Sequence, residues 1–245
     1  MIDEAYADET LAALYDALNP WGPGDDFHLR LVRDAGAVLD VGCGTGALLR
    51  RARELGHTGR LCGLDPAAAM LDRARVRTDV EWVLGDLAGA PWWGEFDLVV
   101  MTGHALQVLL TDDQVRAGLA AVRRILVPGG RFAFETRNPA ARPWERWTPV
   151  HGVRVTGPDG APVDVAHRVD RADGPVVAFT TTFTGPAWPA PRISRSSLRF
   201  LDAPTLDGFL AEAGLVVRDR HGDWDGSPPT ATSPEIITVA ERVDR

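Results

Sequence analysis

The 245-residue sequence has no lysine: all 26 of its basic residues are arginine. That absence excludes Schiff-base lysines, phosphate-loop lysines and tyrosine–lysine proton relays. GC-rich coding accounts for it without a functional cause. Cysteine is scarce too, and Cys43 and Cys62 are too few for a disulfide scaffold or a zinc cluster. No apolar run reaches the roughly 20 residues needed to cross a bilayer. Met1-Ile2-Asp3-Glu4 lacks the layout of a secretion signal, so a cytoplasmic location is the expectation. Positive charge is in deficit, with a formal net charge of −8. Nucleic acid and anionic membranes, which need clustered positive charge, are not expected partners.

What is present is an ordinary globular mixture, 45% hydrophobic and 24% charged, enough for one large domain or a core with a small insert. Residues 1–36 read as a helical cover. Its helical stretches, Glu9–Leu18 and Asp25–Ala35, are parted by Asn19-Pro20-Trp21-Gly22-Pro23-Gly24, where Pro and Gly break helical hydrogen bonding. Short apolar runs then predict strands at Ala37–Val41, Arg60–Leu64, Glu81–Leu84, Phe96–Met101 and Arg131–Glu135. Helices are predicted between them at Thr45–Leu55, Ala67–Arg77 and Asp112–Leu126, the last closed by Pro128-Gly129-Gly130. Such alternation implies an α/β fold, a parallel sheet covered on both faces.

After Asn138 the pattern changes. Residues 146–200 are predicted to form an antiparallel β insert covering the substrate pocket, with runs at Val153–Thr156, Val163–Val169, Val176–Thr184 and Ser196–Phe200. Its turns are expected at Gly157–Gly160 and Asp170–Pro175. A helix at Pro204–Ala213 and a strand pair at Leu215–Arg220 and Ile236–Ala240 return to the core, which therefore comprises residues 1–145 and 201–245. The insert is also a candidate interface for a homodimer.

The informative stretch is Val38-Leu39-Asp40-Val41-Gly42-Cys43-Gly44-Thr45-Gly46, a buried strand running into alternating glycines and then a helix. The glycines permit a sharp turn and let a ligand lie against the main chain, outside the carboxyl end of the strand. Gly42, Gly44 and Ala47 also satisfy a dinucleotide fingerprint. Asp40 separates the two readings: its carboxylate repels a pyrophosphate and favours a ligand bearing an ammonium and a sulfonium. S-adenosylmethionine carries both groups and no phosphate. Asp65 ends the second strand 19 residues after Gly46, where a carboxylate can accept from ribose hydroxyls. Asp86, in Gly85-Asp86-Leu87, is placed to receive an adenine amino group, with Leu87 packing on the base.

Together these segments resemble the class I S-adenosylmethionine-dependent methyltransferases of the small-molecule type. The matching pieces are Leu39–Gly46, Gly63-Leu64-Asp65-Pro66 with Met70-Leu71, Gly85-Asp86-Leu87, Phe96–Val100 and Leu126–Arg131, in the family's order over roughly residues 30–136. The resemblance implies a Rossmann-like, seven-stranded, mostly parallel sheet whose last two strands form a hairpin with one antiparallel member. It also implies that Asp40, Gly42, Cys43, Gly44 and Gly46 hold the methionine moiety, that Asp65 and Pro66 hold the ribose, and that Asp86 and Leu87 hold the adenine. Met70 is expected near the adenosine, with Met101 and Thr102 lining the cofactor site.

His104 follows the fourth strand, where the reacting face opens in such a fold; a histidine there can take a proton from an acceptor hydroxyl or amine. Glu135 is the second candidate base. Arg137 is a candidate for an anionic substrate group, or for an internal salt bridge with Glu135, and Asn138 for a polar one. Tyr15, Trp21, Trp144 and Trp147 are candidate walls of an acceptor pocket. Trp92 and Trp93 lie over the adenine edge or cover the sheet, and the Asp223–Ser227 loop borders the site. His28, His57, His151, His167 and His221 show no metal-ligand spacing and read as surface or packing residues, so no metal is expected. The leading expectation is S-adenosylmethionine-dependent methyl transfer to O, N or C of a small-molecule acceptor. Weighed against it are a non-catalytic S-adenosylmethionine-binding scaffold and a dinucleotide-dependent oxidoreductase.

Overall fold

A computed structural model describes residues 2–244, so Met1 and Arg245, the outermost residues of the expected cover and core, lie outside it. Four helices open the chain: α1 (Glu4–Ala7), α2 (Glu9–Ala12), α3 (Tyr15–Leu18) and α4 (Pro23–Arg33). They are followed by β1 (Ala37–Val41), α5 (Ala47–Glu54), β2 (Arg60–Asp65), α6 (Ala68–Ala74), β3 (Glu81–Leu84), β4 (Phe96–Met101), α7 (Asp112–Ile125) and β5 (Leu126–Arg137). Three short 3-10 turns lead to β6 (Val153–Thr156), β7 (Pro162–Asp173), β8 (Val176–Thr184) and β9 (Arg192–Arg199). The chain closes with α8 (Ala203–Glu212), β10 (Leu215–His221) and β11 (Glu235–Arg242).

The main sheet has seven strands in the order β10-β11-β5-β4-β1-β2-β3. β1 through β5 pair in parallel, and β11 is antiparallel to both of its neighbours. Strand order reverses between β1 and β4, so a crevice opens beyond their carboxyl ends, where ligands of doubly wound sheets sit. Both faces are covered because the central strands are apolar on both sides. Leu29, Val32, Leu48, Leu49 and Ala52 pack with Val38, Leu98 and Val100 on one face. Leu119, Val122, Leu206, Phe209 and Leu210 belong with Leu39, Val99, Phe132 and Phe134 to the other core. The second sheet is separate, four antiparallel strands in the order β6-β7-β8-β9. The N-terminal helices lie between the two sheets: Leu11 and Leu14 share a core with Val163, Val165 and Phe183, and Ala12 shares one with Met70.

Element boundaries differ from expectation where a local hydrogen bond competes with propensity. The expected stretch Glu9–Leu18 is two short helices, α2 and α3, parted at Ala13 and Leu14, and α1 stands apart ahead of them because the Asp8 carboxylate accepts the Thr10 and Leu11 backbone N–H groups and starts a new helix. Pro128-Gly129-Gly130 is a bulge inside β5: pairing jumps from Leu126 opposite Phe96 to Arg131 opposite Leu98, with Gly129 at φ +75°. β7 runs on to Asp173, leaving Gly174-Pro175 as the hairpin turn, and Asp170 sits at a bulge where it receives the Thr180 hydroxyl. β9 begins at Arg192, four residues before the expected start, and ends at Arg199.

Gly46 takes φ +74°, and a Cβ added there would lie 2.3 Å from Cη2 of Trp82. Gly46→Ala should therefore cost about 1–3 kcal/mol of stability. Denaturant unfolding checks this, and Trp82→Leu in the same background should recover part of the loss.

Candidate active site

At the end of β1 the backbone turns through Gly42 and Gly44, at φ +74° and +55°. A Cβ on Gly44 would lie 3.1 Å from Cε of Met70 and 3.8 Å from Cε1 of Tyr15; one on Gly42 would lie 3.1 Å from the Ala105 Cβ. The turn is thus a narrow cradle walled by β2–α6, the N-terminal helices and the segment after β4. Gly46 faces Trp82, and its N–H is spent on the Cys43 carbonyl, so it shapes the turn from behind. Cys43 packs with Leu71 and Ala74, and burial pushes its thiol up, which makes it inert.

Two carboxylates face this turn with opposite fates. Asp65 accepts the Gly44 N–H at 2.8 Å through one oxygen and the Ala67 N–H at 2.8 Å through the other, tying the turn to the start of α6. Asp40 is 1% exposed and accepts no hydrogen bond from the described residues, and its Oδ1 is sealed from solvent. Burial, reinforced by the charges of Asp65, Glu135 and Asp25, raises its pKa to about 8. Tyr15 and Tyr6 stack edge to face at 6.1 Å over the same space, and burial pushes both phenols up. α3 is pinned to the turn by Thr45 donating to Asp16 at 2.6 Å.

The reacting face is built from β4, β5 and β11. His104 sits in the left-handed region at φ 64°, held by its backbone N–H donating to Oε1 of Glu135 at 3.0 Å. Its ring Nε2 lies 3.0 and 3.1 Å from the two oxygens of Glu235. Sequence reading did not find Glu235, because β11 is 131 residues away along the chain and only the sheet pairing brings it here. It also took His28 for a surface or packing residue. His28 is buried; Nδ1 donates to the Gly24 carbonyl at 2.9 Å, and Nε2 is 3.4 Å from Oε2 of Glu135. A carbonyl can only accept, so Nδ1 carries a proton and Nε2 addresses the carboxylate behind His104.

Arg137 makes no ion pair with Glu135 or, among the described residues, with any other carboxylate; Nη1 donates to Oε1 of Gln107 at 3.3 Å. Its guanidinium lies 5.7 Å from the Trp147 ring centroid, and Trp147 in turn meets Phe179 at 4.7 Å and Phe200 at 6.1 Å. Trp144 packs edge to face on Phe200 at 4.6 Å. Trp144 lies in a 3-10 turn, Pro143–Arg146, and Trp147 caps its end. His167, read from the sequence as a surface or packing residue, packs on Phe179 at 6.0 Å; burial and the Arg137 charge lower its pKa.

Other candidates stand apart from this cluster. Trp21 is exposed, donating its indole N–H to Asp26, because it closes the first turn of α4. Asn138 is consumed by the fold: its amide donates to the Thr230 and Ser233 carbonyls and its oxygen caps Ala140. Asp86 is an exposed turn acid accepting the Gly89 N–H, while Leu87 turns into the core toward Gly118. Pro66 is exposed, Met101 belongs to the core and Thr102 is half-buried with its carbonyl bonded to Ala105. Trp92 packs on Phe96 in the core and Trp93 is 73% exposed. Trp224 of the Asp223–Ser227 loop packs on Phe27 and His28. No metal-binding cluster occurs among the described residues, and no helix there is long and apolar enough to cross a membrane.

A family profile described as a methyltransferase domain matches residues 38–130. The cypemycin N-terminal methyltransferase of a Streptomyces species is 29% identical over 99% of this chain and 100% of its own length. The S-adenosylmethionine-bound amino pentose methyltransferase CalS10 of Micromonospora echinaspora aligns with a TM-score of 0.67 at 27% identity, covering 94% of this chain and 97% of that one. The CcbJ methyltransferase of Streptomyces caelestis shares the fold at a TM-score of 0.74 and 22% identity, over 97% of this chain and 100% of its own. These matches support a class I S-adenosylmethionine-dependent methyltransferase. The dinucleotide reading, which left Asp40 without a purpose, falls away.

The residues of this methyltransferase fit S-adenosylmethionine. The Gly42–Gly44 cradle is tight and its positive φ angles disfavour side chains, and Asp40 offers an orphaned carboxyl that a cation would satisfy. In the cofactor-free protein Asp40 instead destabilises the fold. Its folded pKa of about 8 lies above its unfolded value, so folding takes up a proton and stability falls as pH rises from about 4 to 8. Asp40→Asn should therefore raise the Tm of the cofactor-free protein at pH 7.5 and lose that advantage below about pH 4. The same variant should bind S-adenosylhomocysteine at least about tenfold more weakly. Scanning calorimetry and titration calorimetry check the two halves.

Proposed function

We propose that this methyltransferase acts on an amine of a small-molecule acceptor, seated between the carboxyl ends of β1, β4 and β5 and the four-stranded sheet. The observation that carries the reading is the bidentate approach of Glu235 to His104 Nε2, with Glu135 directly behind the same residue. Carboxylates on this scale attract a cationic amine and oppose an anionic nucleophile. The names of two relatives, for an N-terminus and an amino pentose, support the same choice.

The roles follow from position. Asp40 faces the ammonium end of the cofactor, with the Gly42 and Gly44 backbone beside the methionine chain. Asp65 keeps lone pairs free for the ribose hydroxyls beyond its two backbone bonds. Met70 packs against the adenosine, and Asp86 offers its second oxygen at the adenine edge. Tyr15 and Tyr6 close the space from the N-terminal side. Bound S-adenosylmethionine supplies a methyl group activated by its sulfonium.

An acceptor ammonium must lose a proton before its nitrogen can attack. His104 Nδ1 accepts that proton, while Nε2–H stays bonded to the Glu235 carboxylate, which stabilises the imidazolium that results. Glu135 fixes the left-handed backbone of His104, so the ring cannot swing away. Cys43 and Cys62 are both buried and unpaired, which suits a reducing compartment, and we place the protein in the cytoplasm.

His104→Gln and Glu235→Gln should each lower kcat toward amine acceptors by about 10²–10⁴-fold while leaving S-adenosylhomocysteine affinity near wild type. A matched panel of amines, alcohols and thiols assayed for methyl transfer checks this. Turnover confined to alcohols, or insensitive to both substitutions, contradicts the amine reading.

A further inference from the structure

We infer that Arg137, backed by Trp147, is a recognition site for an oxyanion, carboxylate or phosphate, carried by the acceptor. The inference rests on the seating of the acceptor proposed above and names its class: an amine that also bears a negative group.

Arg137 holds a half-buried guanidinium whose natural partners are committed elsewhere. Glu235 stands directly opposite it in the β5–β11 pairing, yet its carboxylate turns to His104. Glu135, two residues back on the same face of β5, turns to the His104 backbone and to His28. Among the described residues, the five-donor guanidinium finds a protein acceptor through Nη1 alone, Oε1 of Gln107 at 3.3 Å. Nε and Nη2 have none, and they are not among the side-chain atoms sealed from solvent without a partner. A charged donor fork held open in this way is costly unless a ligand completes it.

The group is also rigidly presented. Gln107 is itself buried and anchored by its amide donating to the Arg199 carbonyl at 2.9 Å, and its Oε1 accepts the Arg137 backbone N–H as well. Trp147 lies under the guanidinium at 5.7 Å, and Phe179 backs Trp147. Across Phe179 stands His167, its Nδ1 within 3.0 Å of the Thr181 hydroxyl on the neighbouring strand. The apolar backing excludes water and strengthens the attraction for an anion. A planar fork matches the two oxygens of a carboxylate or phosphate. With His104 and Glu235 attracting the amine, the acceptor is held at two points of opposite charge, one on the core and one against the second sheet.

The test uses S-adenosylhomocysteine-loaded protein and fluorine NMR with trifluoroacetate and with fluorophosphate as probes. In the wild type, one probe should show a saturable shift that is displaced by the matching anion, acetate or inorganic phosphate. The better-bound probe tells carboxylate from phosphate. Arg137→Gln should weaken that binding by about tenfold or more, and Arg137→Lys, which keeps charge but not the fork, should recover only part. Trp147→Leu, which leaves β5 intact, should weaken it as well. No saturable shift in the wild type, or equal binding in Arg137→Gln, overturns the inference. If the wild type instead fails to bind S-adenosylhomocysteine at all, the cofactor site itself is misassigned.

Discussion

The Asp40 carboxyl is buried at the end of the central strand with no hydrogen bond from the described residues to satisfy it. Most buried polar groups find a partner within the protein, and those that do not mark strain or a ligand. Here the surrounding design compounds the penalty. Asp65 and Glu135 add negative charge, and the tyrosines above exclude water. A cation arriving in the glycine cradle would relieve all of this at once, which is why the proposed cofactor site is built around this carboxyl.

Around that group the fold works as two jaws. The seven-stranded sheet supplies the neighbouring carboxyl ends of β1, β4 and β5, which carry Asp40, lead into His104, and carry Glu135 and Arg137. The four-stranded sheet and the N-terminal helices supply the other side. They are stitched together by Ala5 donating to Ser194 at 3.0 Å and by the Asp8–Arg192 ion pair, and to the glycine turn by Asp16 and Thr45. The acceptor proposed for this space meets an acidic end and a basic end, an arrangement neither sheet could make alone.

The core was largely legible in the sequence because its signals are local. Alternating apolar runs set β1 to β4, and a strand running into Gly42, Cys43 and Gly44 can turn in few ways. The chemistry of the reacting face was less legible because it depends on distant pairings. Glu235 meets His104 only through the registry of β11 on β5, and His167 meets Phe179 only through the hairpin of the second sheet. Asn138 misled for the opposite reason: a polar residue after a strand resembles a binding residue until the Thr230–Ser233 loop takes its amide and Ala140 takes its oxygen. Trp21 misled similarly, its indole being taken by Asp26 on the surface.

The most direct measurement is proton release on ligand binding, from titration calorimetry of S-adenosylhomocysteine at pH 7 in buffers of different ionisation enthalpy. With an Asp40 pKa near 8 in the free protein, ammonium binding should expel close to one proton at pH 7, falling toward zero by about pH 9, and Asp40→Asn should abolish the release. Wild-type protein that binds the ligand tightly with no proton released at pH 7 would contradict the claim that this buried carboxyl meets the cation.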